Sequence, residues 1–236
     1  MQMLANGSID GFILSLSKET LLLQDYHHFN ETINQGMPIV MFDRVVNEIL
    51  CDKVIVDDSN GSKEAVNKLI NNGCKHIALI TTKDYVSVGR LRTQGYLKAL
   101  ESNKISPESS LILKIDDKLV SEDRLEALES EIEQLFSNNK KIDGVFAVNE
   151  LYAISAMKVA RKLKLKIPED IQIIGFTDGV LSKHAIPSLT TVSQHAERMG
   201  EKSAELLIDN LEREDEEDRY QTVVIETELI QRESTK

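Results

Sequence analysis

Residues 144–176 read GVFAVNELYAISAMKVARKLKLKIPEDIQIIGF. Two apolar runs of strand length, 144–148 and 171–176, flank a segment in which apolar residues recur at helical spacing. Pro168 lies beyond that segment and favours the end of a helix. Runs that are apolar without alternation are typical of strands covered on both faces. The stretch therefore predicts a β-α-β unit with parallel strands.

The same alternation continues towards both ends of the chain. Further strand-length apolar runs occupy residues 11–14, 39–42, 54–56, 77–80, 111–113 and 222–225. Amphipathic segments of helix length separate most of them. One of these segments follows the capping residues at 58–62 and ends at Gly73, a natural helix terminus. We therefore expect an α/β fold built from parallel sheets.

Composition and charge narrow the classes of partner. The chain has 236 residues, of which 41% are hydrophobic, so a sizeable core is possible. The formal net charge is −11. A surface that binds phosphates needs a basic face, so this chain by itself is a poor match for DNA or for an anionic membrane.

Cysteine usage and the absence of targeting signals favour the cytoplasm. No apolar run is long enough to cross a bilayer, and the first residues lack the pattern of a secretory signal. Cys51 and Cys74 are too few for a disulfide scaffold and lack metal-ligand spacing. The five histidines fall on separate predicted elements, so we predict no metal site. We also predict no cofactor.

An ordered set of motifs spans nearly the whole chain. It comprises IDGFILS (9–15), PIVMFDR (38–44), DD through GCKHIALI (57–80), RLRTQGY (90–96), AVNE (147–150), IPEDIQIIGF (167–176) and PSLTTVSQ (187–194). Each pattern alone is weakly specific. In this order, they resemble the effector-binding part of LacI-family transcription regulators of the LacI/GalR type.

The resemblance implies a periplasmic-binding-protein-like type I fold, in which two Rossmann-like lobes with parallel sheets hold a ligand cleft between them. The N-terminal lobe would comprise residues 1–57 plus 190–213, and the C-terminal lobe residues 58–189 plus 220–232. Family members begin with a helix-turn-helix and a hinge helix. This chain begins at about the third strand, so the first lobe is expected to be truncated at its N-terminus and no DNA contact is assigned to any residue.

The function implied by the resemblance is that of an effector-binding and dimerisation domain. It would sense a small molecule, a sugar or sugar derivative, and control operator DNA through an N-terminal segment absent from this chain. A homodimer without membrane contact is expected. The alternative is a sugar-binding receptor of a transport system, which shares the fold. An enzyme is not expected, because the sequence shows no nucleophile elbow, phosphate-binding loop or zinc motif.

Two candidate ligand residues follow the predicted strand 39–42. Asp43 stands where a carboxylate can accept sugar hydroxyls, although an aspartate there can equally cap a turn. Arg44 either stacks on a ligand or pairs with a neighbouring group. The sequence leaves both pairs of alternatives open.

Two further candidates follow from the motif positions. Arg92 matches the arginine that the family directs into its cleft, where a guanidinium suits vicinal hydroxyls, a carboxylate or a phosphate. Its alternative is a surface ion pair on a helix. Asn149 can both donate to and accept from a polyol, or it can cap the helix that follows. Glu150 stands where the family usually has aspartate, which leaves its role open.

The segment Phe176-Thr177-Asp178 departs from the family pattern. Relatives usually place aspartate directly after the aromatic residue, where this chain has Thr177. An acceptor of sugar hydroxyls is therefore lost or shifted by one residue to Asp178. All three residues are candidates for ligand binding. Tyr85, in the segment before Arg92, is a candidate for stacking on a sugar ring, with simple packing as its alternative.

Overall fold

The computed structural model describes residues 9–84, 86–116, 124–213 and 220–236, and they form two compact units. The described residues of the first unit are 9–57, 86–88, 195–213 and 220–226. Those of the second unit are 58–84, 89–116, 124–194 and 227–236. Each unit therefore contains segments that are distant in the sequence.

The described residues contain ten strands and eight α-helices. The strands are β1 (Phe12–Leu14), β2 (Ile39–Phe42), β3 (Asp52–Val56), β4 (Ile77–Thr82), β5 (Ile112–Ile115), β6 (Gly144–Ala147), β7 (Gln172–Thr177), β8 (Thr190–Ser193), β9 (Thr222–Ile225) and β10 (Glu228–Ile230). The helices are α1 (Lys18–Leu23), α2 (His27–Asn34), α3 (Asp58–Asn71), α4 (Ser87–Ser102), α5 (Arg124–Asn138), α6 (Glu150–Lys162), α7 (Val180–His184) and α8 (Ala196–Glu212).

The first unit is built on a four-stranded sheet in the order β1-β2-β3-β9. All its strand pairs are parallel. Two apolar clusters cover it. One includes Leu16 and Met41, and the other packs Val54 against Met199 and Leu206 of α8. Both faces of the sheet are thereby covered, which is why β2 and residues 54–56 of β3 are apolar without alternation.

The second unit is built on a six-stranded sheet in the order β10-β8-β7-β6-β4-β5. Every pair is parallel except β10 with β8, which is antiparallel. All six residues of β4 and all four of β6 are buried. A single large apolar cluster joins these strands to α3, α4, α5 and α6. The prediction of an α/β fold with parallel sheets is confirmed.

Two strands belong to the opposite sheet from the one predicted. The family resemblance predicted residues 190–213 in the first lobe and residues 220–232 in the second. The structure pairs β8 with β7 in the second unit and β9 with β3 in the first. The prediction was wrong for both strands, because each is a short β-branched run that fits either sheet, and pairing is set by partners far away in the sequence.

Helices α3 and α4 approach each other closely at a glycine. A side-chain carbon built on Gly95 would lie 2.6 Å from Cβ of Ser62 and would overlap the backbone oxygen of Ser59. No residue other than glycine fits this position without moving one helix. This explains the glycine of the RLRTQGY motif, and it holds the start of α3 against the middle of α4.

Both cysteines are buried in the core, and we expect them to be unreactive. Burial raises the pKa of the Cys51 thiol to about 11 and, with a smaller contribution from Asp143, that of the Cys74 thiol to about 12. The thiolate is the reactive form, so at neutral pH its fraction falls by about a hundredfold or more relative to an ordinary thiol. In the folded protein, both thiols should react slowly with Ellman's reagent.

The control for this measurement is the same protein in denaturant, where both thiols should react at the rate of a free thiol. Rapid labelling of either cysteine under native conditions would show that its site opens locally or is more accessible than the structure indicates.

No helix among the described residues is long and apolar enough to cross a membrane.

Candidate functional site

The carboxyl ends of three neighbouring parallel strands form the candidate site of the second unit. Strands β7, β6 and β4 lie side by side in that order. Asn149 is the second residue after β6, and β7 ends at Thr177. In α/β folds, ligands generally bind at the carboxyl ends of the strands. The topology therefore places the predicted residues of this unit at the edge where binding is expected.

Arg92 of α4 reaches this edge and is almost fully buried, with 4% of its surface exposed. Its Nε donates to Oδ1 of Asp58 at 2.7 Å, and its Nη1 donates to the backbone oxygen of Val148 at 2.6 Å. Its guanidinium carbon lies 3.7 Å from the centroid of the Phe176 ring. One side chain thus joins α3, β7 and the residue after β6.

The partners of Arg92 balance its charge without using the whole guanidinium. Asp58 is 4% exposed, so the two residues form a buried ion pair, in which the charge of each side chain compensates that of the other. The ring face of Phe176 adds a cation–π contact. Neither hydrogen bond uses Nη2. The arrangement fits an arginine held rigidly at the site edge, and it differs from the surface ion pair that was the alternative for Arg92.

Asn149 is the N-cap of α6. Its Oδ1 accepts a hydrogen bond from the backbone N–H of Tyr152 at 2.8 Å, which satisfies one of the unpaired donors of the helix start. The capping alternative is therefore realised for this oxygen. The side chain is half-buried, and its Nδ2 takes part in no hydrogen bond with the part of the chain that the structure describes. A ligand role through that donor stays a prediction.

Glu150 holds the short helix α7. Its Oε1 accepts hydrogen bonds from both the backbone N–H and the hydroxyl of Ser182, each at 2.6 Å. Its other carboxylate oxygen would lie 2.5 Å from a side-chain carbon at Gly179, so a larger residue there would collide with it. The role of Glu150, which the sequence left open, is structural support for the turn after β7.

The turn after β7 has an unusual backbone. Thr177 has φ 122° and Asp178 has φ 61°, and L-amino acids rarely adopt positive φ. A β-branched threonine is especially disfavoured there. The Thr177 side chain is exposed, whereas Asp178 is half-buried. Strained backbone of this kind persists only where the surroundings hold it, and it concentrates at functional sites.

Asp178 has a partner that the sequence does not reveal. Oδ1 of Asp178 accepts a hydrogen bond from Nη2 of Arg232 at 2.6 Å, and Nη1 of the same arginine donates to the backbone oxygen of Leu189 at 2.9 Å. Arg232 was assigned only to the end of the second lobe. Because 54 positions separate the two residues, no local pattern could have revealed the pair.

The first unit holds the other two candidates. Asp43 follows β2 with φ 59°, is half-buried, and its N–H donates to the backbone oxygen of Val54. Arg44 donates through Nε to the backbone oxygen of Leu16 at 2.6 Å, so it ties the end of β1 to that of β2. Arg44 thus has the neighbouring partner that was one of its alternatives. Ligand contacts by either residue stay predictions.

Among the predicted residues of the second unit, Arg92 and Phe176 are in direct contact. Thr177 follows Phe176 in the sequence, and Asn149 follows Val148, whose backbone oxygen accepts a hydrogen bond from Arg92. Tyr85 lies outside the described residues. Within the part of the chain that the structure describes, no group of three metal-ligating side chains comes together.

Chemically, the edge offers neutral hydrogen-bonding groups around an arginine that is already paired. The Thr177 hydroxyl can donate and accept, and the Asn149 amide can donate. The Phe176 ring is fully buried beneath Arg92, so it supports the guanidinium, and a ligand contact by Phe176 stays a prediction. These groups suit a molecule rich in hydroxyls, which can act as donor and acceptor at each position.

A family model described as "Periplasmic binding protein-like domain" matches residues 66–235. Among curated proteins, the chain is 31% identical over 237 residues to a ribose operon repressor of Halalkalibacterium halodurans, covering 100% of this chain and 65% of that protein. It is 30% identical to the transcriptional regulator CelR of Thermobifida fusca, covering 98% of this chain and 65% of that protein. The chain therefore spans a little under two thirds of these relatives.

Solved structures agree with this result. A complex of the regulator CelR with cellobiose superposes with a TM-score of 0.83 at 29% identity, covering 99% of this chain and 68% of that one. A LacI-family regulatory protein from Chloroflexus aggregans gives 0.82 at 27% identity, covering 100% and 80%. A LacI-family regulator from Enterococcus faecium with bound ribose gives 0.81 at 25% identity, covering 99% and 81%.

Proposed function

Because the chain belongs to the family of periplasmic binding protein-like domains, we propose that it is the effector-binding and dimerisation part of a LacI-family transcription regulator. Its relatives are transcription regulators, and none of those named above is an enzyme. The proposal includes a location in the cytoplasm, a homodimer, no catalytic activity, and operator DNA contacted by an N-terminal segment outside this chain. The resemblance over nearly the whole chain supports these points.

We infer the class of ligand from the ion pair that Arg92 forms with Asp58 at the carboxyl ends of the strands. Its charge is already balanced by the buried carboxylate of Asp58. An anionic ligand would approach an ion pair that is nearly neutral overall. The Coulomb energy that it gained there would be too small to offset the cost of removing its hydration water. A neutral sugar needs only hydrogen bonds, which Thr177, Asn149 and Nη2 of Arg92 can supply. Within the described residues, no hydrogen bond of Arg92 uses Nη2. Related structures with cellobiose and with ribose support a carbohydrate.

The test is calorimetric titration of this chain with D-ribose, cellobiose and ribose 5-phosphate. We expect a neutral sugar to bind and the phosphorylated sugar to bind more weakly or not at all. If no sugar of a broad panel binds, the ligand class is wrong. Tighter binding of the phosphorylated form would contradict the argument from the Arg92–Asp58 pair.

A conservative variant tests the site within the same experiment. Thr177→Val keeps the β-branched shape and removes the exposed hydroxyl, so we expect sugar affinity to fall about two- to tenfold, the effect of one lost hydrogen bond. The matched control is Thr222→Val on β9, which removes an equally exposed hydroxyl from the first unit and should leave affinity unchanged. Equal affinity of Thr177→Val and wild type would remove Thr177 from the site.

The proposed regulation requires that the binding of sugar and the binding of operator DNA affect each other. If sugar changes operator affinity by a given factor, the operator must change sugar affinity by the same factor. Measuring both factors on the longer protein tests the switch, and a sugar that leaves operator affinity unchanged would contradict it. The transport-receptor alternative is decided by the coding sequence upstream, because a helix-turn-helix supports the regulator and an export signal supports the receptor.

A further inference from the structure

We propose that Arg232 is the positioning residue of the ligand site, because its side chain holds the turn after β7 in its binding conformation. This inference rests on the proposed function, since it assigns to Thr177 the contact with ligand and to Asp178 the attachment of that contact to the protein core. It adds a residue from the far end of the sequence to the site.

The segment 232–236 is anchored in the second unit by two buried residues. Ser234 is fully buried and Thr235 is 5% exposed. The backbone N–H of Ile173 donates to the backbone oxygen of Ser234 at 3.0 Å. The backbone N–H of Ser234 donates to the backbone oxygen of Ser188 at 2.9 Å. The segment is therefore fixed to β7 and to the residues that lead into β8.

The Ser234 hydroxyl adds a bridge between the two strands. It donates to the backbone oxygen of Ile173 at 2.6 Å and accepts from the backbone N–H of Thr190 at 2.8 Å. A buried hydroxyl with both its donor and its acceptor capacity used rigidifies its surroundings. Arg232 thus projects from a backbone that is itself immobile, which is the property required of a positioning residue.

Arg232 transmits this rigidity to the strained turn. Its backbone N–H donates to Oγ1 of Thr190, while its guanidinium binds Leu189 O and Asp178 Oδ1. Arg232 and Asp178 have only 16% and 14% of their side chains exposed, so solvent screens the pair little. Among the described residues, the Asp178 carboxylate has Arg232 as its partner.

The turn needs such an attachment because its backbone is unfavourable. Thr177 and Asp178 both have positive φ, and each such residue must be held by its surroundings. Glu150 fixes the far side of the turn through Ser182, and Arg232 fixes the near side through Asp178. Without Arg232, the turn is free to relax to ordinary φ values, and the exposed Thr177 hydroxyl then points elsewhere.

The experiment compares Arg232→Ala, Arg232→Lys and Asp178→Asn with the control Glu233→Gln. Glu233 lies on the same segment, is exposed, and binds Ser188 and not Asp178. The first measurement needs no ligand: hydrogen–deuterium exchange of the peptide that covers residues 176–182. We expect faster exchange in Arg232→Ala and Asp178→Asn, partial rescue in Arg232→Lys, and wild-type exchange in Glu233→Gln.

The second measurement is sugar affinity in a double-mutant cycle. We expect Arg232→Ala to weaken binding about tenfold and to abolish the further loss caused by Thr177→Val, because the two residues act through one contact. If Arg232 had a purely structural role, Arg232→Ala would lower the stability of the protein, and Thr177→Val would still cause its full loss of sugar affinity.

Two results would overturn the proposal: unchanged exchange at 176–182 in folded Arg232→Ala and Asp178→Asn, or additive effects of Arg232→Ala and Thr177→Val on affinity. If wild-type protein binds no sugar at all, the proposed function fails, and the exchange measurement still decides whether Arg232 holds the turn.

Discussion

Replacement of Arg92 by methionine is expected to lower the free energy of unfolding by about 3–5 kcal/mol, the usual result of removing one partner of a buried ion pair. Methionine approximates the length of the arginine stem but leaves the Asp58 carboxylate buried without its cation. It also leaves the backbone oxygen of Val148 without its donor. Urea unfolding followed by circular dichroism measures the change.

The control is Arg90→Met, which removes the same charge from an exposed position on the same helix and should stay within about 0.5 kcal/mol of wild type. The double variant Asp58→Asn/Arg92→Met should recover part of the loss, since the uncompensated carboxylate is gone. If Arg92→Met costs no more than Arg90→Met, the guanidinium is not part of a buried pair.

Replacement of Gly95 by leucine is the second large effect, and we expect it to cost about 3 kcal/mol or more. The added side chain meets Ser62 and the backbone of Ser59, neither of which can rotate away as a flexible side chain would. Helices α3 and α4 must separate. Because α3 carries Asp58 and α4 carries Arg92, sugar binding should weaken together with stability.

The matched control is Gly200→Leu. Gly200 also lies within a helix, α8, but a side-chain carbon there has no neighbour within 4 Å. The substitution should stabilise the protein by about 0.5–1 kcal/mol, because leucine favours the helix more than glycine does. Equal stability losses for the two variants would mean that backbone preference, and not the helix contact, decides the effect of Gly95→Leu.

The sequence predicted those parts of the fold that are encoded locally. Strands β4, β6 and β7 contain the apolar runs 77–80, 144–147 and 173–176. Apolar residues between β6 and β7 repeat at helical spacing, so the β-α-β unit could be inferred without partners. Strands β8 and β9 could not be assigned to their sheets, because a run such as Thr222–Ile225 carries no information on which strand it pairs with.

The same distinction applies to the site. Arg92, Asn149 and Phe176 were identified through motif positions, and the capping role of Asn149 was one of its open alternatives. The pairs that hold the site together join residues far apart: Arg92 with Asp58 across 34 positions and Arg232 with Asp178 across 54. Charge complementarity exists between many such residues in the sequence, and only the fold selects which of them meet.

The interleaving of the two units has a consequence for biosynthesis. A nascent chain that has reached residue 226 already carries β7 and β8, yet the N–H groups of Ile173 and Thr190 still await Ser234. By then, α8 and β9 of the first unit have also been made. The second unit therefore completes its hydrogen bonding after the first has all its described strands. A chain that stops at residue 226 lacks Arg232, the residue that we propose holds the turn after β7, although Thr177 and Asp178 of that turn have been translated.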